Sequence, residues 1–311
     1  MSLVDFEGRS VVVTGAGGGL GREYALALAQ HGARVVVNDL GGTVDGAGGG
    51  TSMADGVVRE IRDTGGEAVA CYDSVATPEG GKAIIDAALD AFGRVDAVIH
   101  NAGILRDRSL SNLSPEEIDA VLDVHLKGGF NITVPAFKVM KEAKYGRIVL
   151  TSSSSGLLGN FGQANYGAAK TGLVGLMHVA AIEGARYGVL ANCIAPGART
   201  RMTEGMLGEL DELLDPAQVA AMAVYLASPQ CSRTHEIYSA GGGRFARYVV
   251  GVNDGWFTPN GPVGANDVLA HLDEIRDIST LHVFDSGVEE LQLLQKIAAE
   301  AGVLNPSDTG R

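Results

Sequence analysis

Tyr166 and Lys170 stand four residues apart in the run TSSSSGLLGNFGQANYGAAK (151–170). On a helix they lie one turn apart on a single face. Ser153 precedes Tyr166 by thirteen residues and follows the apolar run 147–150, which reads as a buried strand. A strand end, a loop and a helix bring the Ser153 hydroxyl and the Tyr166 phenol within reach of one point. Such a group suits proton transfer at an alcohol or a ketone. A phenol needs its ordinary pKa of about 10 lowered by roughly 2–3, worth about 3–4 kcal/mol, to act as a base near neutrality. One ammonium about 4 Å away supplies roughly 4 kcal/mol at an effective dielectric near 20. Lys170 is therefore expected to lower the Tyr166 pKa. A Tyr-x-x-x-Lys pair alone is common on helix faces, so the reading depends on the elements around it.

The run 10–13 (SVVV) is short and apolar, as a fully buried strand would be, and TGAGGGLG (14–21) follows it before an Ala- and Leu-rich stretch of helical spacing, 22–31. Strand, glycine turn and helix together suggest a dinucleotide site, where backbone approaches a pyrophosphate and a helix N-terminus offers free N–H groups. Gly15, Gly19 and Gly21 take the key places, with Leu20 between the last two. Asp39 closes the second strand (33–39), 18 residues after Gly21. A dinucleotide fold places there the carboxylate that binds ribose hydroxyls. A carboxylate repels a 2′-phosphate, so NAD is expected rather than NADP. An oxidised nicotinamide ring beside Tyr166 would add its positive charge to that of Lys170.

The segment 41–50 has six glycines in ten residues and is expected to be a mobile loop near the adenosine end. Helices are predicted over 51–64 and 77–92, the latter capped by Thr77 with Pro78 at its first position, and strands over 67–72 and 95–99. Ser114-Pro115-Glu116-Glu117 forms a capping box opening a long helix that carries His125 and that Pro135 should kink or interrupt. Further strands are expected over 189–194, 235–239 and 247–252, and a helix over 216–227. This alternation predicts an α/β Rossmann-type, doubly wound parallel sheet of about seven strands. Ligands in such sheets bind at the carboxyl ends of the strands. Gly15, Asp39, Asp73, Asn101, Ser153 and Pro196 all fall there. The predicted organisation is a catalytic domain over 1–252 and an extension over 253–311. The extension has helices at 266–276 and 288–301, and Trp256 in a loop, and is expected to cover the substrate mouth or a subunit interface.

The bulk numbers fit such a chain. Of 311 residues 46% are hydrophobic and 20% charged, which provides a substantial core, and the 44 glycines are about twice ordinary usage. A net charge of −13 argues against nucleic-acid or anionic-membrane partners. Cys71, Cys193 and Cys231 lack CxxC spacing and read as reduced thiols in a cytoplasmic protein, with no metal site expected. No signal peptide, membrane span or C-terminal peroxisomal tripeptide is recognised.

These residues resemble the short-chain dehydrogenase/reductase superfamily. The likeness rests on TGAGGGLG at 14–21, NAG at 101–103, Ser153, Tyr166-x-x-x-Lys170 and Pro196-Gly197, and it spans about 8–245. The resemblance implies an oxidoreductase in which Tyr166 is the acid/base, Lys170 lowers its pKa and holds the nicotinamide ribose, and Ser153 hydrogen-bonds the reacting oxygen. It further implies that Asp73 and Ser74 sit by the adenine and that Asn101, Ala102 and Gly103 line the cofactor cleft. Pro196, Ala198 and Thr200 would border the cofactor after the last catalytic strand. Segments 35–42, 101–110, 124–130, 145–170 and 194–203 are similar to one subgroup, the (3R)-hydroxyacyl-CoA dehydrogenase unit of multifunctional enzyme type 2 (17β-hydroxysteroid dehydrogenase type 4-like). In that subgroup His replaces the superfamily's Asn at the place of His125, a candidate proton-relay member, and Asn stands where this chain has Gly197. The implied substrate is an acyl-CoA or a steroid, with Arg106, Arg108, Lys127, Arg199 and Arg201 as candidate contacts to coenzyme A phosphates. A 3-oxoacyl-carrier-protein reductase and a non-catalytic NAD-binding protein are the other readings. A homodimer or homotetramer is implied.

Overall fold

The computed structural model describes residues 3–43, 45–198, 213–259 and 261–304. The chain divides into two units, Met1–Tyr248 and Val249–Arg311.

In the first unit eight strands form one sheet: β1 (Ser10–Thr14), β2 (Arg34–Asn38), β3 (Glu67–Cys71), β4 (Ala97–His100), β5 (Gly146–Thr151), β6 (Val189–Pro196), β7 (Glu236–Gly241) and β8 (Arg244–Tyr248). Their order is β3-β2-β1-β4-β5-β6-β7-β8. The first seven are parallel, and β8 turns back antiparallel on β7. The eighth strand starts three residues earlier than the sequence suggested, because the Gly242-Gly243 turn, with both residues at positive φ, folds 244–248 straight back onto β7 as a hairpin.

Strand alternation feeds two cores, since successive side chains point to opposite faces. Val11, Val13, Val35, Val37 and Ile99 face α1 (Gly19–Gln30), α2 (Ser52–Asp63) and α8 (Pro216–Ala227), packing with Tyr24, Leu28, Ile61 and Ala223. Val12, Val36, Val98, Ile148 and Leu150 face α3 (Pro78–Phe92), α5 (Gly128–Ala143) and α7 (Ala164–Gly184), packing with Ile84, Ile132, Leu173 and Met177. Helices on both faces bury the central strands β1, β4 and β5 completely, which is why these runs are apolar.

Local signals set most helix starts. The Thr77 hydroxyl accepts from Gly80 N at 3.1 Å with Pro78 at the first turn of α3. Ser114 and Glu117 complete a reciprocal capping box at α4 (Pro115–Leu122), at 3.2 and 3.1 Å. Pro135 does not interrupt its helix: α5 runs through it from Gly128 to Ala143. Its missing N–H frees the Asn131 carbonyl, which lies against Gly81 of α3, and packing on α3 retains the helix. The interruption falls upstream, at a π turn, Asp123–Lys127, that joins α4 to α5 and holds His125.

Segment 41–50 has hydrogen-bonded turns. Gly50 N donates to Leu40 O at 2.9 Å, Thr43 N to Ala47 O at 2.8 Å, and Arg106 Nε to Asp45 O at 2.8 Å. The second unit contains β9 (Val252–Asn253) paired antiparallel with β10 (Leu281–His282), and helices α9 (Ala265–Ala270), α10 (Leu272–Arg276) and α11 (Gly287–Glu300). The single helix expected over 266–276 is two, broken at His271, whose ring stacks on Trp256 at 4.0 Å between centroids. Among the described residues no helix is long and apolar enough to cross a membrane.

A Cβ added at Gly81 would lie 2.4 Å from the Asn131 carbonyl oxygen, a backbone atom that cannot swing aside. Gly81→Ala should therefore cost about 1–3 kcal/mol by overpacking, read as a lower urea midpoint. An unchanged midpoint would show that α3 and α5 are free to move apart.

Candidate active site

The parallel register brings the carboxyl ends of β1, β2, β4, β5 and β6 to one edge, with Thr14 beside Asn38 and His100, and Thr151 beside Ile194. Gly15 follows β1 at positive φ, and a Cβ there would lie 2.7 Å from Ala102 Cα. Only glycine permits this approach of the two loops. Gly21 lies behind the turn, its Cβ direction 2.1 Å from the Gly15 carbonyl, so it serves helix–strand packing. Asn101 closes the same junction, donating from Nδ2 to the carbonyls of Thr14 and Gly15, each at 3.2 Å.

Asp39 is held at the end of β2 by two backbone donors, Gly17 N to Oδ2 and Gly41 N to Oδ1, both at 2.7 Å. Asn38 Nδ2 donates to the Asp73 carbonyl at 2.9 Å and so fixes the loop after β3. A cavity of about 410 Å³ runs along this edge. It is lined by Gly15, Gly19, Leu20, Asp39, Asp73, Ser74, Asn101, Ala102 and Gly103 among the sequence candidates. Leu40, Thr43, Gly46 and Arg106 also line it; their contribution depends on how 41–50 folds back toward 104–106. Of the other candidates, Pro196 ends β6 and Ala198 follows it, neither lining this cavity, and Thr200, Arg199 and Arg201 lie outside the described residues. Arg108 is paired with Glu117 at 3.1 Å and Lys127 with Asp123 at 2.6 Å, both on the surface.

At β5 the chain turns at Ser153, which caps α6 (Ser154–Leu158) by accepting from Ser155 N at 3.1 Å. The Ser153 hydroxyl lies near enough to the Tyr166 phenol to favour its ionised form. Tyr166 and Lys170 lie on one face of α7, with the Lys170 Nζ 5.5 Å from the Tyr166 ring centroid. Lys170 is 3% exposed and donates to the Thr151 carbonyl at 2.7 Å. Ser152, missed in the sequence, pins α7 to β5 by donating to the Lys170 carbonyl at 2.9 Å. Asn165, also missed, donates from Nδ2 to the carbonyls of Arg106 and Glu117 at 3.0 and 3.1 Å and sets the entry of α7. A buried amide one residue before the tyrosine was the available signal. The His125 ring meets the Tyr166 ring edge-on, 5.2 Å between centroids, and its Nε2 contacts Ile104 N and O at 3.0 and 2.8 Å.

The electrostatics correct one expectation. Tyr166 is raised above the ordinary phenol value by burial, against which the Ser153 hydroxyl pulls down. The net shift at Tyr166 is therefore upward; burial also drives the Lys170 amine down to about 7, and its proton is directed at the Thr151 carbonyl. Burial, with Lys170 nearby, also holds His125 well below the usual histidine range. A buried lysine of this kind leaves a signature in stability. Its folded pKa is depressed below the unfolded value, so the unfolded chain binds more protons between about 7 and the ordinary lysine range. Stability should rise with pH across that window. In urea unfolding, the wild type minus Lys170→Met difference should grow in favour of wild type from pH 7 upward; a flat difference would place the Lys170 pKa near that of a solvated lysine.

The short chain dehydrogenase family profile matches residues 9–208. A short-chain type dehydrogenase/reductase of Mycobacterium tuberculosis is 54% identical over 272 residues, 87% of this chain and 95% of that protein. Peroxisomal multifunctional enzyme type 2 of Mus musculus is 54% identical over 243 residues, 78% of this chain but 33% of that protein, so the chain spans a third of its length. A hydroxyacyl-CoA dehydrogenase of M. tuberculosis is 39% identical over 249 residues, 75% of this chain and 77% of that protein. The solved full-length multifunctional enzyme type 2 of Drosophila melanogaster superposes with a TM-score of 0.81 at 39% identity, covering 96% of this chain and 50% of that one.

Proposed function

The chain belongs to the short-chain dehydrogenase family, oxidoreductases acting on CH–OH groups, and we propose that it uses NAD to oxidise a (3R)-hydroxyacyl-CoA to the ketone. The observation that carries this reading is the convergence of Ser153, Tyr166 and Lys170 on the strand edge that also carries the cavity and Asp39. The cavity and the glycine cradle fit a dinucleotide: side chains larger than glycine at Gly15 or Gly17 would collide with Ala102 or Asp39. Gly15, Gly19 and Leu20 would hold the pyrophosphate, Asp39 the adenosine ribose, and Asp73 and Ser74 the adenine. Bound NAD supplies hydride acceptance.

The chain's own residues do the rest. Ser153 donates a hydrogen bond to the reacting oxygen and offsets its developing charge. Tyr166 takes the hydroxyl proton as general base. Its burial, which raises the phenol pKa, leaves the lowering of that pKa to positive charge gathered in the closed site, the protonated Lys170 included. Asp39 already accepts two backbone N–H bonds in its place at β2, so a 2′-phosphate would meet a fixed negative charge. The hydroxyacyl-CoA assignment draws on the name of the M. tuberculosis relative and on the multifunctional enzymes. Exposed apolar side chains on α5 (Phe130, Val134) and α7 (Val179, Ile182) support reading the protein as a homodimer or homotetramer.

Comparing NADH formation from a (3R)-hydroxyacyl-CoA with that from a 17β-hydroxysteroid tests the substrate, and faster turnover of the steroid would reject it. Tyr166→Phe should keep NADH affinity and lose about 10²–10⁴ in turnover; turnover within tenfold of wild type would exclude Tyr166 as the base. Asp39→Ala should shift the ratio of kcat/KM for NAD over NADP by about tenfold toward NADP, one hydrogen-bonded charge's worth. An unchanged ratio would place the discrimination elsewhere.

A further inference from the structure

His100 ends β4 and is 1% exposed, with no place in the chemistry above. Its two ring nitrogens join two parts of the site. Nδ1 lies 3.1 Å from the Thr14 hydroxyl, at the end of β1 where the glycine turn begins. Nε2 lies 3.0 Å from the backbone carbonyl of His125 in the π turn.

The protons in this chain are determined by its ends. Thr14 Oγ1 accepts from Asn101 N at 3.0 Å and from Ala102 N at 3.1 Å. Both are backbone donors, so the hydroxyl's own proton is left for His100 Nδ1, which must accept. At the other end a carbonyl can only accept, so His100 Nε2 must carry the proton. A second ring proton on Nδ1 would face a hydroxyl whose acceptor positions are filled. Burial, together with Lys170, holds this imidazole down to about 4, in agreement with the neutral form. Gly128 and Gly129 border the ring at van der Waals distance, their Cβ directions 3.4 and 3.6 Å from it.

We propose that His100 is a positioning residue: a neutral, Nε2-protonated imidazole that bolts the π turn carrying His125 to the strand that carries the glycine turn. The bolt acts on the reaction through the His125 backbone, and so on the ring that stands edge-on to Tyr166. Its effect on turnover rests on the function proposed above; its tautomer does not. Removing the imidazole leaves the His125 carbonyl with its local contact to Gly128 N alone and frees the π turn to shift relative to β4. The cavity proposed for NAD is lined by Asn101 and Ala102, whose backbone donors to Thr14 remain.

Two measurements test this. Long-range ¹H–¹⁵N spectra of histidine-labelled wild type, with the His100 signal assigned by its loss in His100→Gln, should show the Nε2–H tautomer without titration from about pH 5 to about pH 9. An Nδ1–H tautomer, or a titration inside that range, would overturn the proposal. In kinetics, His100→Phe should lower kcat by about tenfold or more, as the loss of a buried hydrogen bond at a positioned group does, with NADH affinity within about twofold. His100→Gln, whose amide offers a donor and an acceptor, should recover most of that kcat. Wild-type kcat in His100→Phe, or equal loss in both variants, would overturn it. Absence of NADH binding to wild type would instead remove the proposed function, and the tautomer spectrum would still decide on the bolt.

Discussion

Burial controls the charge of Tyr166, Lys170, His125 and His100. The edge of the sheet is closed by helices on both faces, and removing ionised groups from water raises the free energy of the charged form. Lys170 is brought down to about 7 and His100 to about 4, while Tyr166 is pushed up. The phenol therefore rests in its neutral form, and the site is arranged so that positive charge entering it has a large effect. In a low-dielectric pocket, one charge acts more strongly on its neighbours than the same charge in water would. The polar atoms that hold these groups are mostly backbone: Thr151 O for Lys170, Ile104 for His125, and the amides of Gly17 and Gly41 for Asp39.

The fold serves this by bringing strand ends together rather than by any long-range lever. Because seven strands run parallel with aligned register, loops from distant parts of the chain finish at the same edge. Glycine is used there for contact: Gly15 against Ala102, and Gly103 under the His125 ring, where a Cβ would lie 2.2 Å from Cε1. The π turn at Asp123–Lys127 has the same purpose. It offsets the helical ladder, and the carbonyl of His125 gains a further donor from another strand.

Much of this was legible in the chain. The Thr77 and Ser114 caps act within a few residues of themselves, so their types and spacing are enough. The short apolar runs announced the buried strands because both faces of each are covered. Where the reading failed, a distant partner was the cause. Pro135 remains within α5 because α3 packs against it, and the strand after β7 shifted because its register answers to β7 rather than to its own pattern. The six-glycine loop has no local preference, and its turns are secured in part by Arg106, sixty-one residues from Asp45.

By itself the sequence determined the order of strands and helices, the glycine turn, the carboxylate after β2, and the serine, tyrosine and lysine at their spacing. These follow from side-chain periodicity, capping chemistry and backbone sterics, all acting over short stretches. Only the tertiary structure decided the protonation of Lys170 and Tyr166 and the bond from His100 to His125. Those depend on which atoms exclude water and which donor stands opposite which acceptor, and the partners lie on different strands and helices.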